Sequence, residues 1–247
     1  MEVKTVDILG VPFSTMTMDE TIQYLKGQLE LERTHTFQVV TANPEIVMCA
    51  KKDETFHKTL LNTDLITPDG IGVVKASGML GTPVKERVAG FDLMCNLFAK
   101  LSEENKPVSV FLLGAKPHVV QAAADHLTKT YSAVSIVGTQ DGYFKQEEEE
   151  ESIVSRIQEA KPDLLLVALG FPRQENFIQT NKHRLETKMA VGVGGSLDVW
   201  AGEVKRAPKW IQAINLEWFY RLCSNPTRWR RQLVLAEFLK EVMRSKK

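Results

Sequence analysis

Uninterrupted apolar runs alternate with stretches of helical spacing along most of this chain. The runs read TFQVVTA at 36–42, DLIT at 64–67, PVSVFLLG at 107–114, AVSIVGT at 133–139, PDLLLVALG at 162–170 and KMAVGVGG at 188–195. Each predicts a strand. Between them lie segments with helical spacing: one beginning near Pro44 and carrying Ile46, Val47 and Phe56, another over 116–131, a third over 173–185. Continuous Val/Ile/Leu strands separated by helices are what a parallel sheet covered on both faces requires. The predicted fold class is therefore α/β, a Rossmann-like, mostly parallel sheet flanked by helices. The glutamate run at 147–151 predicts a solvated helix start, where acids suit the positive end of the helix dipole.

The last forty or so residues break the pattern, which divides the chain into a body over 1–203 and a helical appendage over 204–247. Pro208 suits a first helical turn, WIQAINLEWFYRL follows it, and Asn225–Pro226 interrupts the run. From Arg228 onward, Arg230, Glu237, Glu241 and Arg244 share one side at helical spacing. Trp229, Leu233, Leu235, Phe238, Leu239, Val242 and Met243 cover most of the remainder. So wide an apolar face is buried either against the body or in a membrane surface. Charge bears on the choice. The chain is neutral as a whole, yet residues 204–247 carry 11 Lys/Arg against three Glu, a balance of +8 that leaves −8 on residues 1–203. A basic tail on an acidic body implies an anionic partner: lipid, nucleic acid or phosphate.

At 247 residues with 43% hydrophobic content, the chain has material for one large domain with an appendage. No apolar run approaches the ~20 residues of a membrane span, and the start MEVKTVDILG lacks the features of a signal peptide. Cys49, Cys95 and Cys223 are odd in number and widely spaced, as unpaired thiols of a reducing compartment are. A cytoplasmic location is expected. Both a monomer and a homo-oligomer remain open.

In an open parallel sheet, ligands bind beyond the carboxyl ends of the strands. The polar clusters fall there: TANPE, TPDGIG, LGAKP, TQDGYF, LGFPRQEN and GVGGSLD. Asp69 in TPDGIG is either a turn residue or a general base able to take a proton from a substrate hydroxyl. Arg87 is either a surface charge or a fork for an anionic substrate. Thr41 and Asn43 suit capping of the helix after Pro44, and Gln174 suits a first helical turn. The glycines around Gly194 and Gly195 make either a tight turn or a close approach to phosphate. Residues 192–197 read GVGGSL, short of G-x-G-x-x-G, and a P-loop motif is absent, so neither nicotinamide nor P-loop chemistry is supported. No RNA-module signature accompanies the acidic body, which speaks against a nucleic-acid partner.

The ordered set TANPEIV, TPDGIGVV, RVAGFDL, LGAKP, DGYF, LGFPRQENFI, GVGGSLDVWAGEVKRAPKW and LEWFYRL resembles the WecG/TagA/CpsF glycosyltransferases, glycosyltransferase family 26. The similarity runs from about Val6 to Arg231 and is nearest in pattern to the wall teichoic acid branch. Asn215 stands where that pattern has Gly, and Leu197 where it is often aromatic. The resemblance implies an inverting transfer of N-acetylmannosamine from UDP-ManNAc onto undecaprenyl-diphosphate-linked N-acetylglucosamine, with a related UDP-sugar such as UDP-ManNAcA as the other donor. It implies Asp69 as base, with Thr41 and Asn43 orienting the sugars and Arg87 and Gln174 fixing phosphates and sugar. Tyr143 and Asp198 would hold the uridine side, where Gly194 and Gly195 let the backbone come close. No D-x-D pair is present, so no metal or cofactor is expected. Arg206, Arg221, Arg228 and Arg231 would neutralise the departing diphosphate. The appendage would close over the site and rest on the inner face of the cell membrane.

Overall fold

The computed structural model describes residues 3–208, 211, 217, 220 and 229–245. Six strands form one parallel sheet: β3 (Phe37–Ala42), β4 (Leu65–Pro68), β5 (Val108–Gly114), β6 (Val134–Gln140), β7 (Leu164–Ala168) and β8 (Met189–Gly192). Their spatial order is β4-β3-β8-β7-β5-β6. A separate antiparallel pair, β1 (Thr5–Ile8) and β2 (Val11–Ser14), precedes them.

The α/β reading holds, and its physical basis is visible along each strand. On β3, Phe37 and Val39 enter one core while Val40 and Ala42 enter another. On β7, Leu164 and Leu166 face the first side, Leu165 and Val167 the second. Both faces are dry, so apolar residues fill both sets of positions, Gln38 and Thr41 of β3 excepted. The first face is covered by α1 (Met18–Leu29), α5 (Gly90–Glu103), α6 (Pro117–Thr130) and α9 (Ser196–Trp200). The second is covered by the β1–β2 pair, α2 (Pro44–Lys52), α3 (Glu54–Leu61), α4 (Ile71–Met79), α7 (Glu147–Ala160) and α8 (Arg173–Asn181). As expected, the glutamate run opens a helix, with Glu147 to Glu150 in the first turn of α7.

The segment after Pro44 differs from its expectation, being two helices rather than one. Asp53 takes an extended conformation, ends α2, and accepts from the Thr55 and Phe56 amides at 2.9 and 3.1 Å to start α3. A short carboxylate that satisfies helix-start amides competes with continued helix, and here it wins.

A C-terminal helix, Trp229–Ser245, lies against α2 and α4. Phe238 and Val242 are fully buried in the second-face core; Val234, Leu235 and Leu239 pack beside them. Lys52 meets Glu237 at 3.1 Å, and Lys51 meets Glu241. The apolar surface of this helix is therefore split: one side docks, while Leu233 and Met243 remain 59% and 54% exposed. Among the described residues, no helix is long and apolar enough to cross a membrane.

Candidate active site

The order of strands creates a switch point. From β3 the chain leaves toward α2 on the second face; from the adjacent β8 it leaves toward α9 on the first. The carboxyl ends of neighbouring strands thus diverge and leave a crevice. A cavity of about 510 Å³ occupies it.

Thr41, at the end of β3, lines the cavity and packs on the start of α5. A Cβ at Gly90 would stand only 2.8 Å from the Thr41 hydroxyl, so glycine permits that approach. Asn43 also lines it while capping α2, its Oδ1 accepting from the Glu45 and Ile46 amides at 2.9 and 3.1 Å. Asp69 follows β4 directly. Its amide donates to the Ala42 carbonyl at 2.9 Å, which sets its half-buried side chain on the same rim as Asn43. Gly70 then takes φ +119°, a region closed to most L residues, and turns the chain into α4. A carboxylate between a strand-end proline and that turn is thus held on the cavity wall.

Arg87 and Arg206 reach the cavity from different parts of the chain and share acidic partners. Asp92, in the first turn of α5, accepts from both terminal nitrogens of Arg206 at 2.6 Å and from Arg87 at 3.2 Å. Glu217 accepts from Arg87 at 3.3 Å and lies 3.6 Å from Arg206 Nε. Burial would lower the Arg206 pKa, but the Asp92 carboxylate outweighs it and raises the value, with Glu217 adding to the effect. The Arg206 guanidinium also rests 4.8 Å from the Phe91 ring centre.

Gln174, in the first turn of α8, is buried. Its Oε1 accepts from the Gly194 amide at 3.2 Å, and its Nε2 donates to Glu175 at 2.8 Å. Gly194, at φ +49°, Gly195 and Asp198 complete this wall. Leu235 of the C-terminal helix lines the other side beside Gly72, where a Cβ would meet Leu235 at 2.8 Å and Pro44 at 2.9 Å.

The structure thus gathers Thr41, Asn43, Asp69, Arg87, Gln174, Gly194, Gly195, Asp198 and Arg206 around one cavity. It does not bring Tyr143 there. Arg173 ties the Tyr143 loop to α8 through the Gly142 and Phe144 carbonyls at 3.1 and 2.7 Å, and the tyrosine ring is 66% exposed. Arg221 and Arg228 lie outside the described residues; Arg231 falls within the C-terminal helix, its side chain outside them. Asp92 and Glu217, which organise the arginines, were not singled out from sequence. Asp92 carried a signal, standing in the same RVAGFDL stretch as Arg87. Among the described residues, no three His, Cys, Asp or Glu side chains converge as a metal-ligand set.

The arrangement has defined chemical capacity: a carboxylate at a strand end, two guanidinium groups, and glycine backbone at a switch point, all facing one space. A sequence model of the Glycosyl transferase WecG/TagA/CpsF family matches residues 6–247. Three relatives are each named N-acetylglucosaminyldiphosphoundecaprenol N-acetyl-beta-D-mannosaminyltransferase. The protein of Bacillus spizizenii (strain ATCC 23059 / NRRL B-14472 / W23) is 40% identical over 206 residues, covering 83% of this chain and 78% of its own. That of Bacillus subtilis (strain 168) is 35% identical over 244 residues, covering 99% and 93%. That of Staphylococcus aureus (strain MW2) is 37% identical over 244 residues, covering 98% and 93%.

Proposed function

This chain belongs to the WecG/TagA/CpsF glycosyltransferase family, and we propose that it moves N-acetylmannosamine from UDP-ManNAc to N-acetylglucosaminyldiphosphoundecaprenol with inversion. The observation that carries this reading is the convergence of Asp69 with Thr41, Asn43, Arg87, Gln174 and Arg206 on one cavity at the sheet's switch point. The relatives' names supply the sugar and the acceptor.

Asp69 acts as the base. As the acceptor's 4-hydroxyl oxygen attacks the anomeric carbon, the Asp69 carboxylate takes the hydroxyl proton. The bond from that carbon to the phosphate oxygen breaks, and its electron pair leaves with UDP. One displacement turns an α-linked donor into a β product, so a single base suffices. Thr41 and Asn43 flank Asp69 and orient the sugars. Gln174 and the Gly194–Gly195 turn face the donor.

Charge balance assigns a role to the tail. Among the described residues the cavity lining holds two cations, Arg87 and Arg206, against Glu45, Asp69, Asp92, Asp198 and Glu217. A diphosphate entering that lining needs further positive charge, which the basic appendage carries in Arg221, Arg228 and Arg231. The exposed Leu233 and Met243, with exposed Lys240 and Arg244, form the side of the C-terminal helix that meets the membrane surface. The appendage, 204–247, then joins acceptor delivery to completion of the site.

The direct test is incubation with UDP-ManNAc and a lipid-diphosphate-N-acetylglucosamine acceptor, with and without EDTA, with product mass read against UDP-ManNAcA as alternative donor. Asp69→Asn is expected to lower turnover about 10²- to 10⁴-fold while leaving UDP affinity unchanged. Near-normal turnover of that variant removes Asp69 from the role.

A further inference from the structure

The cavity wall rests on a buried acid that the transfer step does not use. Glu175, the residue after Gln174 on α8, is 1% exposed. Its Oε1 accepts from Gln174 Nε2 at 2.8 Å, while its Oε2 is buried with no hydrogen-bond partner. Gln38 of β3 lies beside it: Gln38 Nε2 donates to the Glu175 carbonyl at 3.0 Å, and Gln38 Oε1 is likewise buried without a partner. Burial, offset in part by bonds from Gln174 and from its own amide, pushes the Glu175 carboxyl up to about 6. Among the described residues, the Cys49 thiol of α2 senses the Glu175 charge, which adds to the upward push that burial gives that thiol.

A primary amide is nearly symmetric in shape, so packing alone cannot decide which end is oxygen. Partners decide it. On Gln174 the Gly194 amide demands an acceptor, and Glu175 Oε1 demands a donor. The two demands agree on one orientation and together stretch the side chain across the end of β8, where Gly192 leaves room for it. The result is a relay from the core of α8 to the glycine turn that lines the cavity.

Resting on the transfer reading above, we propose that Glu175 is a positioning residue for the reaction: its carboxyl fixes the facing of the Gln174 amide and thereby holds the Gly194 turn in the shape the donor meets. Glu175 touches neither substrate nor reacting atoms. It acts through Gln174.

The test compares Glu175→Leu and Glu175→Gln in the full chain, each also combined with Gln174→Ala, reading turnover and the hydrogen exchange of the Gly194 amide without substrate. Glu175→Leu cannot accept from Gln174; it is expected to lower kcat about tenfold and to speed Gly194 exchange by a similar factor. Glu175→Gln keeps an oxygen that can accept from Gln174, so both quantities stay within about twofold of wild type. In the Gln174→Ala background, Glu175→Leu costs no further activity. Unchanged Gly194 exchange in Glu175→Leu, or losses that multiply in the double variant, overturns the proposal. If Glu175→Leu does not fold, Glu175→Gln decides: fast Gly194 exchange in that variant overturns it equally. Because exchange is read without substrate, a wild-type protein that fails to transfer N-acetylmannosamine counts against the functional reading alone.

Discussion

Gly192→Ala separates the site from the fold with a single methyl group. Gly192 ends β8, has no left-handed φ, and lies in the buried sheet, so an alanine backbone is acceptable there. Its Cβ, however, would stand 2.6 Å from Gln174 Nε2, 3.1 Å from Cδ and 3.3 Å from Cγ. Ordinary contact is roughly 3.5–4.0 Å, so the amide end must retreat by about 1 Å. The retreat gives up both the Nε2 bond to Glu175 and the Oε1 bond from Gly194, a loss of about 1–3 kcal/mol. The smaller unfolded-state entropy of alanine returns about 0.4–1 kcal/mol. Stability should therefore fall by no more than about 2.5 kcal/mol, a Tm shift of roughly 10 °C or less for a chain of this size. Activity should not be spared, since a displacement of about 1 Å at a positioning group can cost on the order of a hundredfold. UDP release with the lipid acceptor, beside a thermal melt, reads both quantities. Turnover within about twofold of wild type would remove Gln174 from the donor wall. A Tm loss above about 10 °C would show instead that Gly192 matters for packing.

Two further outcomes follow from buried groups. Glu175 is raised from an ordinary 4.5 to about 6, so the folded state binds its proton more tightly than the unfolded one. Its contribution is most favourable below pH 4.5, declines as pH rises to about 6, and is flat beyond, for a total of about 2 kcal/mol. Urea midpoints at pH 4.5 and 7 should show that difference between wild type and Glu175→Gln, and parallel pH curves for the two would contradict it. Phe238→Ala removes the largest fully buried side chain among the described residues of the C-terminal helix, a loss of about 3–5 kcal/mol against a docked surface of one helix. Limited proteolysis should then cut within 229–245 while the melt of the body changes little; resistance equal to wild type would show that the helix is held by other contacts.

The sheet was legible because it is buried on both faces. Leu164, Leu165, Leu166 and Val167 are all fully buried, and such a run reads as a strand without any periodicity to interpret. The β1–β2 pair was not foreseen. Its two-residue turn places Leu9 at φ 56° and Gly10 at φ 86°, the left-handed pair that a tight hairpin needs, and leucine carries none of the Asn-Gly signal that marks such turns. At the site, strand-end chemistry was legible because topology puts strand ends together whatever lies between them. The partners of the arginines were not. Asp92 and Arg206 are 114 residues apart, and an acid in a first helical turn looks the same in sequence whether it faces water or a guanidinium. Tyr143 shows the converse, a residue in a rim motif that is exposed and does not line the cavity.

The lopsided charge of the chain and the balance inside the cavity express one constraint at two scales. Arg87 and Arg206 are both already paired with Asp92 and Glu217, so an incoming anion competes with those carboxylates for the same guanidinium groups. A diphosphate charge about 6 Å from a carboxylate of the lining meets roughly 3 kcal/mol of repulsion at an effective dielectric near 20. Reorienting the two arginines toward the diphosphate would take from half-buried Asp92 and buried Glu217 the guanidinium groups they now hold, which costs about as much again. On the reading proposed above, further cations come from residues 204–247, whose excess of +8 includes Arg206 and Glu217 of the lining itself. Breaking the sugar–phosphate bond adds one more negative charge to the leaving group, so each added guanidinium favours the transition state over the bound donor. We propose on this ground that transfer depends on the tail and, through the exposed side of its C-terminal helix, on a lipid surface.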